Sequence, residues 1–242
     1  MKIQYLCPQC HPEPRKSSIV TLRDLFEVEQ KQISDNGIHP AKCDKGHEFV
    51  IIFEAAKFET LFDIGMNALR DGYPREAVSS FTASFERFLE FYIRYVWHLK
   101  KIEPSIIEKT WKLMENQSER QLGAFISLYT VEQKESPPCL SNEKSKFRNK
   151  VIHKGYIPSI NEAINFGKTV YEIILEIVIK LENWPNNSLL DFYFSQTPKY
   201  PEEYKFVINH SPQAICLARK FENSYKVEFN KVLKYFDINY SS

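Results

Sequence analysis

A long amphipathic stretch that begins at Pro74 constrains the fold of this chain more than any other feature. Its large apolar side chains recur three or four residues apart, as they do on one face of a helix. Proline is accepted at the first position of a helix because its missing N–H would have no helical partner there. The pattern predicts a long helix that is the central packing element of a mainly α-helical domain. The apolar positions are Val78, Phe81, Phe85, Phe88, Tyr92, Tyr95 and Leu99.

Helical periodicity continues on both sides of this stretch. Asp71 and Gly72 end the helix that precedes it. Ser118 with Gln121, and Ser159 with Glu162, have the spacing of capping boxes, which open helices. These patterns place a helical domain at residues 56–183. Its other helices are expected at residues 56–70, 104–115, 118–132, 140–154 and 159–183.

Three cysteines and a histidine near the amino terminus have the spacing of a metal site. Cys7 and Cys10 form a CxxC pair, and Cys43 and His47 follow in a second short turn. Two ligands from each of two turns suit tetrahedral zinc, and four protein ligands leave no open position for catalysis. We therefore expect residues 1–55 to be a zinc ribbon with structural zinc, with short strands at residues 2–6 and 48–53. His11 and His39 are alternatives to His47 as the fourth ligand.

The last part of the chain, residues 184–242, has a mixed pattern. It begins with the helix-breaking sequence WPNNS. Residues 205–209 are compatible with a strand, and residues 219–236 have the pattern of an amphipathic helix. We expect a C-terminal extension that either lies on the helical domain or serves as an interaction arm.

The stretch FRNKVIHKGYIP at residues 147–158 contains the candidate chemical residues. If the segment is helical, Asn149 and His153 lie four residues apart on one face, opposite an apolar stripe formed by Phe147 and Val151 together with Leu140. The Asn149 face should therefore be exposed to water or to a partner.

Gly155 suits the left-handed position after a helix, and Pro158 cannot continue the helix. His153 is therefore expected in the last turn. Arg148 lies about 140° around the helix from His153, so one straight helix cannot bring both side chains onto one phosphate. Four lysines make the stretch locally basic, which favours an anionic ligand. They are Lys144, Lys146, Lys150 and Lys154.

This stretch resembles the motif of HEPN domains, which are all-helical modules marked by an arginine, usually a polar residue, and a histidine four to six residues further on. The sequence R-N-K-V-I-H fits that pattern with Arg148, Asn149 and His153. The resemblance implies an HEPN-like helical bundle that forms a homodimer with a composite cleft. In many members it also implies RNA cleavage without a metal ion.

The resemblance also implies roles for individual residues. His153 is expected to act as general acid or base, Arg148 to bind the phosphate, and Asn149 to orient them, with the four lysines binding RNA. Glu86 lies where such domains often have an acidic or polar residue facing the cleft, and it either orients a cleft side chain or is an ordinary ion-paired glutamate. The expected products have 2′,3′-cyclic phosphate and 5′-hydroxyl ends. Such proteins often act as toxins or phage-defence effectors, sometimes with an antitoxin or another regulatory protein as partner.

Composition leaves a second function class open. The formal net charge is +1, whereas non-specific polynucleotide binders are usually basic. A non-catalytic module that binds RNA, a nucleotide or a protein is therefore the alternative. Arg94 and His98 form a competing pair on one helix face, for which a surface pair is the simpler explanation. The sequence has no apolar membrane span or secretory signal, so we expect a cytoplasmic protein that does not enter the membrane.

Overall fold

A computed structural model of the chain describes residues 2–10, 29–181, 188–199, 203, 206–210, 212–217 and 228–238. Within these ranges the chain is mainly helical with a small β component, as the sequence predicts. It divides into two compact units, Met1–Ala55 with Thr197–Pro212, and Ala56–Gln196 with Gln213–Ser242. None of the helices described here combines the length and the apolar content that crossing a membrane requires.

Two small sheets are found among the described residues of the first unit. In one, β1 (Lys2–Tyr5) pairs antiparallel with β2 (Glu29–Gln32). In the other, β4 (Glu48–Phe53) lies between β3 (Ile38–Lys42), which is antiparallel to it, and β5 (Val207–His210), which is parallel to it. Both strands predicted for the ribbon are therefore present, and the strand compatible with residues 205–209 is confirmed.

The central strand β4 is buried along most of its length, since every residue from Phe49 to Phe53 is at most 2% exposed. Burial on both faces explains why its sequence is continuously apolar and does not alternate. Gly37 precedes β3 with a φ of 67°, in the left-handed region that favours glycine. A Cβ at Gly37 would lie 2.7 Å from a side-chain carbon of Pro198, so the turn also requires a residue without a side chain.

The second unit contains eight described helices. The predicted long helix is confirmed as α2, which begins at Pro74 and ends at Leu99. The helices are α1 (Lys57–Arg70), α2 (Pro74–Leu99), α3 (Pro104–Lys112), α4 (Ser118–Gln133), α5 (Asn142–Lys154), α6 (Ile160–Leu181), α7 (Ser188–Gln196) and α8 (Phe229–Tyr235).

Helix α2 is the centre of the second unit, because α1, α4, α5, α6 and α7 all pack against it. Phe81 is fully buried on α2 and lies between Gly65 of α1 and Gly167 of α6. A Cβ at Gly65 would be 2.5 Å from the Phe81 ring, and one at Gly167 would be 2.6 Å from it. The two glycines therefore let α1 and α6 approach the ring closely.

Only one of the two predicted capping boxes is present. At the start of α6, Ser159 Oγ accepts from the N–H of Glu162, and Glu162 accepts from the N–H of Ser159. The box predicted at Ser118 is wrong, since α4 has Gln117 as its N-cap residue without a side-chain cap. The side chain of Gln121 instead donates to carbonyl groups of the loop before α4.

A buried carboxyl group, that of Glu59, lies on the apolar face of α1. No local pattern in the sequence indicates its burial. The carboxyl group accepts hydrogen bonds from the backbone N–H groups of Ala56 and Leu217 and from the hydroxyl of Tyr193, at 2.6–2.9 Å. Burial, helped by the nearby Asp63 carboxylate, raises the pKa of Glu59 to about 8, although the three donors oppose the shift.

Asp63 is also fully buried, one helical turn further along α1. Its two carboxylate oxygens accept from the backbone N–H groups of Gln213 and Ala214, at 2.7 and 2.8 Å. Together with Glu59 it holds the segment at residues 213–217 on the helical unit.

The segment predicted as one C-terminal extension, residues 184–242, is shared between the two units. Residues 197–212 group with the first unit, and residues 188–196 and 213–242 with the second. Of the amphipathic helix expected at residues 219–236, α8 covers the later part. The earlier part lies outside the described residues.

Candidate functional site

The helix that carries the Arg-Asn-His motif is α5, and both of its ends are fixed by local hydrogen bonds. Ser141 caps the start, where its Oγ accepts from the N–H of Lys144 at 3.2 Å. Gly155 ends the helix with a φ of 68°, as predicted, and the N–H of Tyr156 then donates to the carbonyl of Lys150. The motif is therefore on a defined helix and not on a loop.

One face of α5 packs on the core of the helical unit, as predicted. Val151 is fully buried, and Phe147 is half-buried with its ring 5.7 Å from that of Phe166. Asn149 and His153 are both exposed on the remaining surface of the helix. The predicted face assignment is therefore correct.

The four lysines of the stretch differ in exposure. Lys144 is half-buried, whereas Lys146, Lys150 and Lys154 are exposed. The ammonium group of Lys150 lies 3.4 Å from the ring centroid of Tyr156, a cation–π contact. Its charge also helps to lower the pKa of Glu162, which is held down mainly by the hydrogen bond from the Ser159 N–H. The exposed surface around His153 is therefore basic.

Arg148 lies beside Glu86 of α2, with Nη1 3.7 Å from Oε1. Their side chains are 25% and 32% exposed, respectively. The separation is longer than a hydrogen bond, so the two groups form a loose ion pair. The sequence had singled out both residues, and the fold brings them together.

A pocket with a volume of about 90 Å³ opens beside this ion pair, between α2, α4, α5 and the loop that precedes α5. The apolar part of its lining comes from Phe85, Leu89, Leu122 and Leu140, and the charged part from Glu86 and Arg148, with Glu119 also in the lining. Asn149 and His153 are not among its lining residues. Within one chain, Arg148 and His153 therefore face different surroundings, as their angular separation on the helix predicts.

Several polar residues of the pocket are not among the functional residues that the sequence predicts. They are Thr82, Ser118, Ser145 and Cys139. A partial signal was present in the sequence, because Ser145 lies three residues before Arg148 and Leu89 three residues after Glu86, on the same helix faces. No sequence pattern indicates that residues of α4 line the pocket, because their position depends on how three helices pack.

The competing pair on α2 has a structural role. Arg94 is paired with Glu90 and Glu108 and lies 4.8 Å above the ring of Trp111. The ring of His98 lies 5.3 Å from that of Phe192. Each side chain contacts residues other than its predicted partner, and that of Arg94 is only 19% exposed. The contacts are structural, but they are not the surface pair that the sequence suggested.

The four residues expected to bind metal lie together in the first unit. Their ligand atoms are all within 4.8 Å of one another. His47 Nδ1 is 3.6, 3.3 and 3.5 Å from the sulfurs of Cys7, Cys10 and Cys43, and the last two sulfurs are 3.9 Å apart. With Zn–S near 2.3 Å and Zn–N near 2.0 Å, a tetrahedral site has edges of about 3.5–3.8 Å. The cluster is a possible metal site, and these four separations are close to the edges of a tetrahedral site.

The local fold explains this arrangement. Cys7 and Cys10 follow β1, while Cys43 and His47 are the ends of the β3–β4 turn, in which Gly46 has a φ of 83° and the N–H of Cys43 donates to the carbonyl of His47.

Of the alternative histidine ligands, His39 does not belong to the cluster. Its Nδ1 lies 3.3 Å from Ser34 Oγ, and its side chain is buried. His11 lies outside the described residues.

Comparisons of this chain with protein-family models, with curated proteins and with solved structures found no match.

Proposed function

We propose that this chain is a metal-independent endoribonuclease that acts as a homodimer. The observation that carries the proposal is the arrangement on α5. Asn149 and His153 share an exposed basic face, and Arg148, on another face of the same helix, forms a loose ion pair with Glu86. The resemblance of the motif to HEPN domains adds the reaction type and the role as a toxin or defence effector.

The side chains fit the three chemical tasks of RNA cleavage without a metal ion. His153 transfers protons to or from the 2′-hydroxyl or the leaving oxygen, because an imidazole ring can both accept and donate a proton. Arg148 stabilises the phosphate, since its guanidinium stays charged and can bond in bidentate fashion. Asn149 orients both groups, and Glu86 positions Arg148. The products have 2′,3′-cyclic phosphate and 5′-hydroxyl ends.

Two copies of the chain make the site complete. Arg148 and His153 lie about 140° apart on one helix, and His153 does not line the pocket beside Arg148. If two α5 helices face each other, Arg148 of one copy can lie beside His153 of the other. The exposed lysines then lie along the shared cleft and bind the RNA backbone.

Cleavage of a labelled RNA by the wild type and by single variants tests this proposal. We expect His153→Ala and Arg148→Ala each to lose at least about 100-fold in rate. Lys168→Ala, on an exposed part of α6, is the control for loss of one positive charge and should keep full activity. Unchanged cleavage by folded His153→Ala protein would contradict the catalytic assignment.

A mixing experiment tests the composite site separately. A heterodimer of Arg148→Ala and His153→Ala chains contains one site in which both residues are intact, if the site draws one residue from each chain. Mixing the two inactive variants should then restore part of the activity. A monomer by light scattering, or no restoration after subunit exchange, would contradict the dimeric site.

The alternative is a module that binds RNA, a nucleotide or a partner protein without cleaving. The observation that favours it is the ion pair itself, since Glu86 already supplies a counter-charge to Arg148. Tight binding of RNA by the wild type, without any cyclic-phosphate product, would support this function over the nuclease.

For the first unit, the proposed ligand of the Cys7, Cys10, Cys43 and His47 cluster is a structural Zn²⁺ ion. Thiolate and imidazole are the donors that zinc prefers, and four protein ligands close its shell. Metal analysis of protein purified without added metal should give one zinc per chain. Cys10→Ser should lower this ratio and Cys139→Ser should not. Another metal, or an unchanged ratio in Cys10→Ser, would contradict the assignment.

A further inference from the structure

The pocket beside Arg148 contains two charged groups whose hydrogen-bonding capacity is not filled. Arg148 Nε is buried and has no hydrogen-bond partner within the described part of the chain. Arg87 and Arg94 are buried to a similar degree, yet both donate hydrogen bonds to Glu90. The guanidinium of Arg148 is partly exposed, lines the pocket and is only loosely paired with Glu86, so it is suited to an acceptor that comes from outside the chain.

Glu86 supplies the complementary half of the site. Its nearest counter-charge, Arg148, lies at 3.7 Å, beyond hydrogen-bond distance. An ionised carboxylate only accepts hydrogen bonds, whereas a guanidinium only donates them. A ligand that uses both groups must therefore carry a donor toward Glu86 and an acceptor toward Arg148. Two adjacent donors would engage both oxygens of the Glu86 carboxylate.

The rest of the pocket favours a small, largely apolar body. Phe85 and Leu89 are at most 6% exposed and form part of the lining with Leu122 and Leu140. The pocket has a volume of about 90 Å³. This is room for several water molecules, since each water molecule needs roughly 10–15 Å³ of cavity. These dimensions suit a single ring system and not a large ligand.

We propose that this pocket binds a guanine base. Guanine is the only one of the four RNA bases with two adjacent donors, N1–H and N2–H, which fit the carboxylate of Glu86. Its O6 and N7 acceptors fit arginine. Adenine and cytosine place a ring acceptor beside their amino group, and uracil places carbonyls on both sides of its N–H, so each would direct a lone pair at Glu86.

The proposal deepens the proposed function, on which it rests in taking RNA as the source of the base. The guanidinium has donors on two edges. Arg148 can therefore hold the base through one edge of its guanidinium while another N–H group remains available for the phosphate. The nuclease would then cleave next to guanosine.

Binding without cleavage tests the base assignment, using the full-length His153→Ala variant, whose substitution lies outside the pocket. Calorimetry with the 3′-monophosphates of guanosine, inosine and adenosine should give the tightest binding for guanosine. Inosine, which lacks the 2-amino group, should bind several-fold more weakly, and adenosine at least about tenfold more weakly. Equal affinity for guanosine and adenosine, or no binding of either at millimolar concentration, would overturn the proposal.

The source of the base is tested with 2′-O-methyl RNA, which cannot be cleaved. A uridine hexamer with one central guanosine should bind at least about tenfold more tightly than the all-uridine hexamer. A preference for the free nucleotide without any preference among hexamers would identify a nucleotide sensor and overturn the RNA assignment. Neither binding experiment depends on RNA cleavage. A result that contradicts guanine binding can therefore be told apart from a result that contradicts the nuclease proposal.

Two matched variants test which carboxylate reads the base. Glu86→Gln replaces one acceptor oxygen by a donor and should lose most of the preference for guanosine over adenosine. Glu119→Gln makes the same change at an exposed residue of the lining and should keep the preference. The opposite pattern in folded proteins would overturn the role of Glu86.

Discussion

Glu59 shows how a single residue can make the stability of the helical unit depend on pH. The carboxyl group is fully buried in the apolar core, and its pKa is raised to about 8 from an ordinary value of 4.5. The folded chain therefore keeps a proton that the unfolded chain releases at lower pH. Between these two values the unfolded state binds fewer protons, so the free energy of unfolding falls as pH rises.

We predict a measurable difference between the wild type and Glu59→Gln in urea unfolding across this pH range. One proton corresponds to a slope of up to about 1.4 kcal/mol per pH unit. The wild type should lose stability relative to the variant from about pH 5 to 8, with no further loss from this group above pH 8. Glu172→Gln, at an exposed position on α6, should behave as the wild type. Parallel pH profiles for the wild type and Glu59→Gln would contradict the prediction.

At the scale of helices, the close approach of α1 and α6 to Phe81 depends on Gly65 and Gly167. Alanine at either position would place its Cβ 2.5 or 2.6 Å from the ring, against a side chain enclosed in the core. We predict that Gly65→Ala and Gly167→Ala each lower the free energy of unfolding by about 1–3 kcal/mol.

Gly123 provides the matched control, since it lies in α4 with no atom within 4 Å of an added Cβ. Alanine there should raise the free energy of unfolding by up to about 1 kcal/mol, because glycine is a poor helix former. Denaturant unfolding of the three variants measures both effects. A higher free energy of unfolding for Gly65→Ala would contradict the prediction, because it would show that α1 can move away from Phe81 without destabilising the fold.

How much of the fold the sequence predicts depends on how far apart the interacting residues lie along the chain. The start of α2 at Pro74, the end of α5 at Gly155 and the capping box at Ser159 follow from local patterns, and all three are confirmed. The burial of Glu59 and Asp63 was missed, because the backbone groups that satisfy them lie about 150 residues further along the chain.

The candidate site shows the same limit. The exposed face of α5 and its apolar stripe follow from helical geometry within one short segment. For Glu86 the sequence left two alternatives open, a residue that orients a cleft side chain or an ordinary ion-paired glutamate. Its nearness to Arg148 depends on the register in which α2 and α5 pack. The pocket depends on α4 as well, and no pattern in the sequence specifies how three helices meet.

At the scale of the whole molecule, the two units differ in what stabilises them. The helical unit has an extensive core of aromatic and aliphatic side chains. The first unit has a small core, and two of the proposed metal ligands, Cys7 and Cys43, belong to it. A domain with so few buried side chains usually needs a metal or another cross-link to fold.

We therefore predict that chelation unfolds the first unit and leaves the helical unit folded. Hydrogen exchange of the full-length protein, followed by mass spectrometry, should show faster exchange in β3 and β4 after zinc removal and unchanged protection in α2 and α6. Cys10→Ser should reproduce the pattern without a chelator, and Cys139→Ser should not. Loss of protection throughout both units would mean that the helical core depends on the metal as well. Unchanged exchange in β3 and β4 would mean that the strands hold together through their apolar contacts alone.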